Sequence, residues 1–471
     1  MTATPNGARA PAAASPVVSK LYFAAWRWHF YAGLYVIPFL LMLSATGTLI
    51  LWFTAIAPEY GDRIAIARGE RALEAHQLLA EAEAAHPGSQ ATRLTTPIDA
   101  EKPALVRIAT PAGARVLALN PYDGTVLADR PEAGTWNEWL TDLHGTLLLG
   151  GDGGLGDVMI EIAASLGLLL VATGLYLAWP RGTRLSALFV PNLAARGRAF
   201  WKSLHAALGG WVALVLVFFL ISGLAWASIW GTRIVQAWSA FPAEKWGAPL
   251  SDKTHASLND TALKEVPWAL ELTPLPESGS QAGLQLIPAD LPVTWDTVLA
   301  GARALGFDAR VQITAPAGET GVWTLSRDSM SYDSPDPTSD RTVHLDRYTG
   351  KILADVGFAE YGLGGKAMAV GIALHEGQLG LANIVLNLGF CAAIWGLCLS
   401  GLVLWWKRRP AGALRLAAPP RPEELPYARG AILITLALAL TFPVLGLVIL
   451  AVLLLDLAIL SPLPALKRLV S

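Results

Sequence analysis

Cysteine is scarce: the 471 residues hold two, Cys391 and Cys398, both inside one apolar stretch. That excludes a disulfide framework, an iron–sulfur spacing and a CxxCH attachment motif, and leaves the two cysteines as small packing residues on a helix face. Any redox centre therefore has to use histidine. Charge is scarce too, with 15% of residues charged against 53% hydrophobic, 18 Trp and a mean hydropathy of +0.44. Soluble domains carry about 25% charged residues, so this composition points to lipid. The formal net charge is -2, and the basic residues crowd into a few short loops, which leaves no continuous basic surface for nucleic acid. No GxGxxG follows a strand and no P-loop occurs, which excludes a nicotinamide or flavin domain and a nucleotide-driven pump.

What the chain has instead is length in its apolar runs, at 30–56, 158–179, 206–230, 380–406 and 430–462. The first ends in Ala55-Ile56-Ala57, which imitates a signal-peptidase site. Its 28 residues from Phe30 to Ala57 exceed the roughly 7–15 of a signal h-region and suffice for a bilayer core that needs about 20, so it reads as a retained anchor. Loop 180–203 carries Arg181, Arg184, Arg196, Arg198 and Lys202 with no acid, and Lys407-Arg408-Arg409 opens the loop after the fourth run. The positive-inside rule puts both loops in the cytoplasm. The expected layout is a cytoplasmic tail 1–25, a first span 26–56, an outer domain 57–143, and an outer segment with the second span at 144–180. A cytoplasmic loop 181–203, a third span 204–230, a second outer domain 231–374, a fourth span 375–406, a cytoplasmic loop 407–429 and a C-terminal membrane segment 430–471 follow. In that last segment Pro443 interrupts an apolar run too long for one span and too short for two, so a tilted helix and a re-entrant hairpin both satisfy it.

The chain also repeats itself. His29 lies 18 residues before Gly47 in HFYAGLYVIPFLLMLSATG, and His205 lies 18 before Gly223 in HAALGGWVALVLVFFLISG. His144 precedes ATGLYLAWPR, and His375 precedes LSGLVLWWKR, with four extra residues in the first copy. PYDGTVLAD at 121–129 matches DRYTGKILAD at 346–355. Two halves, 20–181 and 200–409, each read helix, ectodomain, helix, and since each starts inside and spans twice the copies run parallel. Each ectodomain reads as a small α+β unit: a helix-like GERALEAHQLLAEAEAAHPG or TWDTVLAGARALGF, then short strands around Tyr122-Asp123-Gly124 or Tyr348-Thr349-Gly350. The Trp- and Pro-rich stretch 232–292 has no counterpart in the first half. Its Trp230, Trp238 and Trp246 read as anchors or local core before they read as an aromatic wall for a substrate.

Four of the eight histidines fall at matched places near span ends. His29 and His205 start spans one and three, at the cytoplasmic end; His144 and His375 lie just before spans two and four, at the outer end. Two neutral imidazoles from facing helices are what a b-type haem iron takes as axial ligands, and an apolar bundle supplies the slot for a flat ring. One such pair per face predicts two haems, with the iron of each held by His29 and His205 or by His144 and His375. From His29 to Gly47 a helix rises about 27 Å, close to a hydrocarbon thickness of about 30 Å. The flexible Gly150–Asp157 stretch sets the outer haem at or beyond the bilayer surface. His76, His86, His255 and His344 have no partner at metal spacing and read as surface or fold residues.

On His29 with Gly33 and Ser44-Ala45-Thr46-Gly47, on the His205 and Ser222-Gly223 repeat, on the TG(K)xLAD turns and on the GLYLAWP and GLVLWWKR ends, the chain resembles the PepSY-associated transmembrane family over nearly its whole length. Within it the likeness is to the FoxB-type and PiuB-type inner-membrane proteins of iron uptake. The resemblance implies an α-helical transmembrane bundle, four core spans from two parallel repeats plus a C-terminal apolar segment, with two periplasmic α+β PepSY-like domains in a bacterial inner membrane. It implies a haem-b reductase that delivers electrons to a periplasmic ferric siderophore or ferric chelate. The donor is then a membrane quinol or a separate reductase. A rival reading is a cofactor-free membrane sensor whose ectodomains bind a peptide or protease. A transporter is the third, with Glu161 and Asp456 as the few charged groups in the spans.

Overall fold

A computed structural model describes residues 16–181, 184–259, 266–409, 416–420, 429–455, 458 and 462–463. The first fifteen residues of the tail, Asp456 and the Lys467-Arg468 end lie outside them. Four helices are long and apolar enough to cross a membrane: Lys20–Ile56, which combines α1 (Pro16–Leu51) with a terminal π turn, α4 (Leu155–Ala178), α5 (Gly197–Leu224) and α8 (Leu381–Trp406). Each satisfies its own backbone hydrogen bonds, the condition a chain must meet in hydrocarbon. The chain divides into two compact units, one of residues up to 41, 161–220 and from 393, the other of 42–160 and 221–392.

The first unit holds α1 up to Leu41, α4 from Glu161, α5 up to Leu220, α8 from Ala393 and the C-terminal apolar segment. That segment is two helices of 13 residues, α9 (Arg429–Thr441) and α10 (Pro443–Leu455), each about 20 Å long and so shorter than a bilayer core of about 30 Å. Pro443 has no N–H to continue the ladder, and the chain bends so far that a methyl built on Gly446 would lie 3.1 Å from the Ala439 carbonyl oxygen. A straight tilted helix is not what forms.

The second unit is built on a sheet. Gln90–Thr95 (β1), Ala104–Thr110 (β2), Gly113–Leu119 (β3) and Val126–Pro131 (β4) form an antiparallel meander beside α2 (Ala75–Ala85). In the other repeat Gln312–Thr314 (β8), Val322–Arg327 (β9), Arg341–Asp346 (β10) and Lys351–Gly357 (β11) form a second one beside α6 (Trp295–Ala304). Before it come Leu250–Thr254 (β5) and Pro274–Pro276 (β6), which pair with each other, and Leu284–Gln285 (β7), which pairs with β11.

The two meanders, legible in the sequence apart from β1, join into one nine-stranded sheet in the order β4-β3-β2-β1-β8-β9-β10-β11-β7. They meet first strand to first strand, antiparallel, with Leu94 opposite Ile313, so the copies are arranged as a two-fold axis arranges them. The apolar face is shared as well: Leu78, Leu79 and Ala82 of α2 pack with Leu94, Val106 and Leu117, and Val298 and Ala302 of α6 with Ile313, Leu325 and Val343. Trp295 and Leu299 touch both cores. Burial of these side chains, at about 1.5–3 kcal/mol each, is what holds the sheet. Across the helix seam His76 bonds Asp296 at 2.7 Å, and in the first meander His86 bonds Asp129 at 2.7 Å.

Candidate functional site

In the first unit α1 and α5 bring His29 and His205 together, their ring centroids 6.3 Å apart and their planes at 85°. Each ring is held from a different long helix. His29 Nδ1 lies 3.1 Å from the Thr173 hydroxyl of α4. His205 Nδ1 lies 3.0 Å from the Ser400 hydroxyl and 3.2 Å from the Leu397 carbonyl of α8. The residue after each hydroxyl is glycine, and the imidazole edge rests there: a methyl on Gly174 would stand 3.0 Å from His29 Cε1, and one on Gly401 3.4 Å from His205 Cε1.

In the second unit His144 and His375 sit on short helices that precede α4 and α8. α3 (Trp136–Thr146) starts on the Thr135 hydroxyl, which accepts from the Glu138 N–H at 3.1 Å, and stops where Leu147 and Leu148 take the left-handed region at φ 54° and 58°. Two consecutive leucines there are costly, and the glycine-rich turn that follows is tied to α4 by Asp157, whose carboxylate accepts from the Gly153 N–H at 2.9 Å. α7 (Leu363–Glu376) stops at Gly377, φ 79°, as a left-handed helix end requires. Its last carbonyls are satisfied by α8: Asn387 donates to Leu374 and His375 at 3.1 and 2.9 Å, and Asn383 to Leu374 at 2.9 Å. Tyr332 (φ 57°), from the turn between β9 and β10, places its hydroxyl 3.2 Å from the Glu376 carbonyl and 2.9 Å from the Thr54 hydroxyl.

The rings of His144 and His375 are then gripped as those of His29 and His205 are. His144 Nδ1 lies 2.8 Å from the Thr46 hydroxyl, with Gly47 beside its Cε1 at 3.6 Å; His375 Nδ1 lies 2.7 Å from the Ser222 hydroxyl, with Gly223 at 4.0 Å. His375 is held well below its ordinary proton affinity, first by burial and then by the nearness of His144. The four histidines at matched sequence places thus form two couples, one in each unit. The Thr/Ser-Gly dipeptides escape a reading of the sequence as a set. Their signal is a hydroxyl followed by glycine at the same point of both repeats, inside helices that otherwise avoid polar groups.

A profile of the PepSY-associated TM region matches residues 26–408. The chain belongs to that family. The match takes in α1 from Trp26, the other three long helices, both meanders and all four coupled histidines, so the chain is a transmembrane helical protein of the family with a large antiparallel sheet. No protein of curated function matches the chain.

The remaining histidines divide. His76, exposed, and His86, half-buried, are the carboxylate-bonded residues described above. His255 and His344, separated by 89 residues in sequence, are instead buried and bonded Nε2 to Nε2 at 2.9 Å. His255 Nδ1 faces the Thr273 carbonyl at 2.7 Å and so carries the proton; its Nε2 accepts from His344 Nε2–H, and His344 Nδ1 accepts from the Thr324 hydroxyl at 3.0 Å. Both rings are neutral in that chain of bonds, and burial pushes His255 down to about 4 and His344 well below its ordinary value. Trp246 packs on both and stacks on Phe241, so this tryptophan of the inserted stretch is local core. No group of three His, Cys, Asp or Glu able to hold a metal ion occurs among the described residues. Cys391 and Cys398 are free.

Proposed function

We propose that the protein is an inner-membrane haem-b electron-transfer reductase that passes electrons to a periplasmic ferric siderophore or other ferric chelate, from which iron leaves as the weakly held ferrous ion. One observation carries the reading. Two imidazoles facing one metal through bonds of about 2 Å, each ring centre about 1.2 Å behind its ligating nitrogen, have centroids a little over 6 Å apart, and His29 and His205 stand at 6.3 Å. A haem needs no third side chain, which agrees with the absence of larger ligand clusters among the described residues.

His29 and His205 would hold one iron, and His144 and His375 a second. Haem b, when bound, supplies a one-electron carrier whose potential is set by its axial ligands and apolar surround. The chain's own contribution is to fix four rings with hydroxyls, seat them on glycine and keep water away with the long apolar helices. The 18-residue spacing from His29 to Gly47, about 27 Å of helix, suits a carrier near each face of a bilayer. The sheet then lies on the periplasmic side, where a chelate would dock, and the electron donor is a quinol or a separate reductase on the other.

The activity is tested in proteoliposomes loaded with a reductant that reduces the cytoplasmic face. Addition of a ferric siderophore outside, with a ferrous-specific chelator present, should yield ferrous iron at a rate that His144→Ala abolishes. Equal rates with and without the protein would refute the reductase assignment.

A further inference from the structure

Each of the four histidines meets the same two-residue device on a different helix: Thr46-Gly47 with His144, Thr173-Gly174 with His29, Ser222-Gly223 with His375, and Ser400-Gly401 with His205. A hydroxyl has one proton to give. Thr46 gives its own to the Met42 carbonyl at 2.9 Å, Thr173 to Leu169 at 2.7 Å and Ser400 to Leu397 at 2.9 Å. Their oxygens are left to accept, so the facing Nδ1 must be the nitrogen that carries hydrogen. A neutral imidazole has one N–H, and the lone pair is therefore on Nε2. Ser222 stands where Thr46 stands in the repeat, and its contact is the shortest of the four at 2.7 Å.

We infer that these dipeptides are positioning residues which commit Nε2 of each histidine to the iron, fix the ring's rotation, and make the imidazole a stronger donor through the Nδ1–H···O bond. The inference rests on the haem reading above. Hydrogen bonding at the far nitrogen of a ligating histidine raises its basicity and orients the ring, which favours the ferric state and lowers the potential. Glycine has its part in the same grip, because the ring edge takes the space a side chain would fill. The device is not identical at the four places: His205 has the Leu397 carbonyl as well as the Ser400 hydroxyl, whereas His144 is given the Thr46 hydroxyl.

The test uses the purified full chain and the variants Thr173→Val, Thr46→Val and Ser400→Ala, with Thr173→Ser as the conservative control. Haem content should stay near that of the parent in all four. Thr173→Val should raise one midpoint potential and alter one low-spin electron paramagnetic resonance signal, Thr173→Ser should restore both, and Thr46→Val should shift its haem further than Ser400→Ala shifts the other. Potentials and signals unchanged in Thr173→Val and Thr46→Val would overturn the inference. A second arm needs no haem: nitrogen-15 histidine spectra of the haem-free protein should show Nδ1–H tautomers at the four rings, with His29 losing that preference in Thr173→Val. Nε2–H tautomers there would refute the grip. A chain that binds no haem under any condition refutes the haem reading, while the tautomer spectra still decide the hydrogen-bond assignment.

Discussion

His29 and His205 meet nearly at right angles, ring planes 85° apart across a centroid separation of 6.3 Å. A bis-imidazole ferric haem with crossed ligand planes gives a strongly anisotropic low-spin signal, and one with parallel planes a rhombic one. The oxidised protein should therefore show at least one strongly anisotropic signal that disappears in both His29→Ala and His205→Ala, checked by low-temperature electron paramagnetic resonance. Loss in one variant alone would mean the two rings do not share an iron.

The glycines grade the tolerance of the sites. A methyl at position 174 would press on His29 Cε1 at 3.0 Å, whereas one at 223 would meet His375 at an ordinary 4.0 Å. Gly174→Ala should cost the haem proposed for His29 and His205 much of its occupancy or shift its Soret band, and Gly223→Ala should leave two haems in place. Pyridine haemochrome content with visible spectra measures both.

Arg310 is buried between two carboxylates, 3.0 Å from Asp333 and 3.2 Å from Asp62. Removal of the one guanidinium leaves Asp333 buried without its cation, and breaking such a pair costs about 3–5 kcal/mol. Arg310→Met should lower the denaturant midpoint of the sheet unit accordingly, while Arg71→Met, which loses an exposed pair with Glu74, should change it by less than about 1 kcal/mol.

Two buried groups give opposite pH dependences. Burial foremost pushes the Asp340 carboxyl up to about 7, so the folded state binds its proton before the unfolded chain does, and stability rises as pH falls from about 7 towards the ordinary carboxylate range near 4. For His255, held down to about 4, the unfolded chain takes the proton first, and stability is lost as pH falls from about 6.5 towards 4. A tenfold difference in proton affinity between the folded and unfolded chain corresponds to about 1.4 kcal/mol. Asp340→Asn should be more stable than the parent at pH 8 and lose that advantage below pH 5, and His255→Gln should have a flatter profile between pH 6.5 and 4. Urea titrations monitored by tryptophan fluorescence across that range distinguish the two.

The sequence carries the parts whose signal is local. Four long apolar helices follow from run length, the two meanders from the Tyr122-Asp123-Gly124 and Tyr348-Thr349-Gly350 turns, and the matched histidines from the repeat. What it does not carry is pairing at a distance. Nothing local says that β1 lies against β8: the strands legible in the first ectodomain are β2, β3 and β4, and Gln90–Thr95 is a strand only in its pairing with β2 and β8. His255 and His344 each look like isolated polar residues until 89 positions are folded away, when they become a bonded, buried couple. The Thr/Ser-Gly grips are visible as letters and silent as contacts, because their partners stand 98 to 195 residues off. The C-terminal run is ambiguous for another reason: its length fits neither one span nor two, and Pro443 decides it by removing a hydrogen bond.

The most direct measurement is the haem content and oxidised-minus-reduced spectrum of the detergent-purified protein, expressed with ample haem, beside His29→Ala, His205→Ala, His144→Ala and His375→Ala. Two low-spin b-type haems per chain, with one lost when either member of a couple is changed, is the predicted result. A colourless protein would contradict the account and put a cofactor-free sensor, with its histidines only bracing the helix ends, in its place.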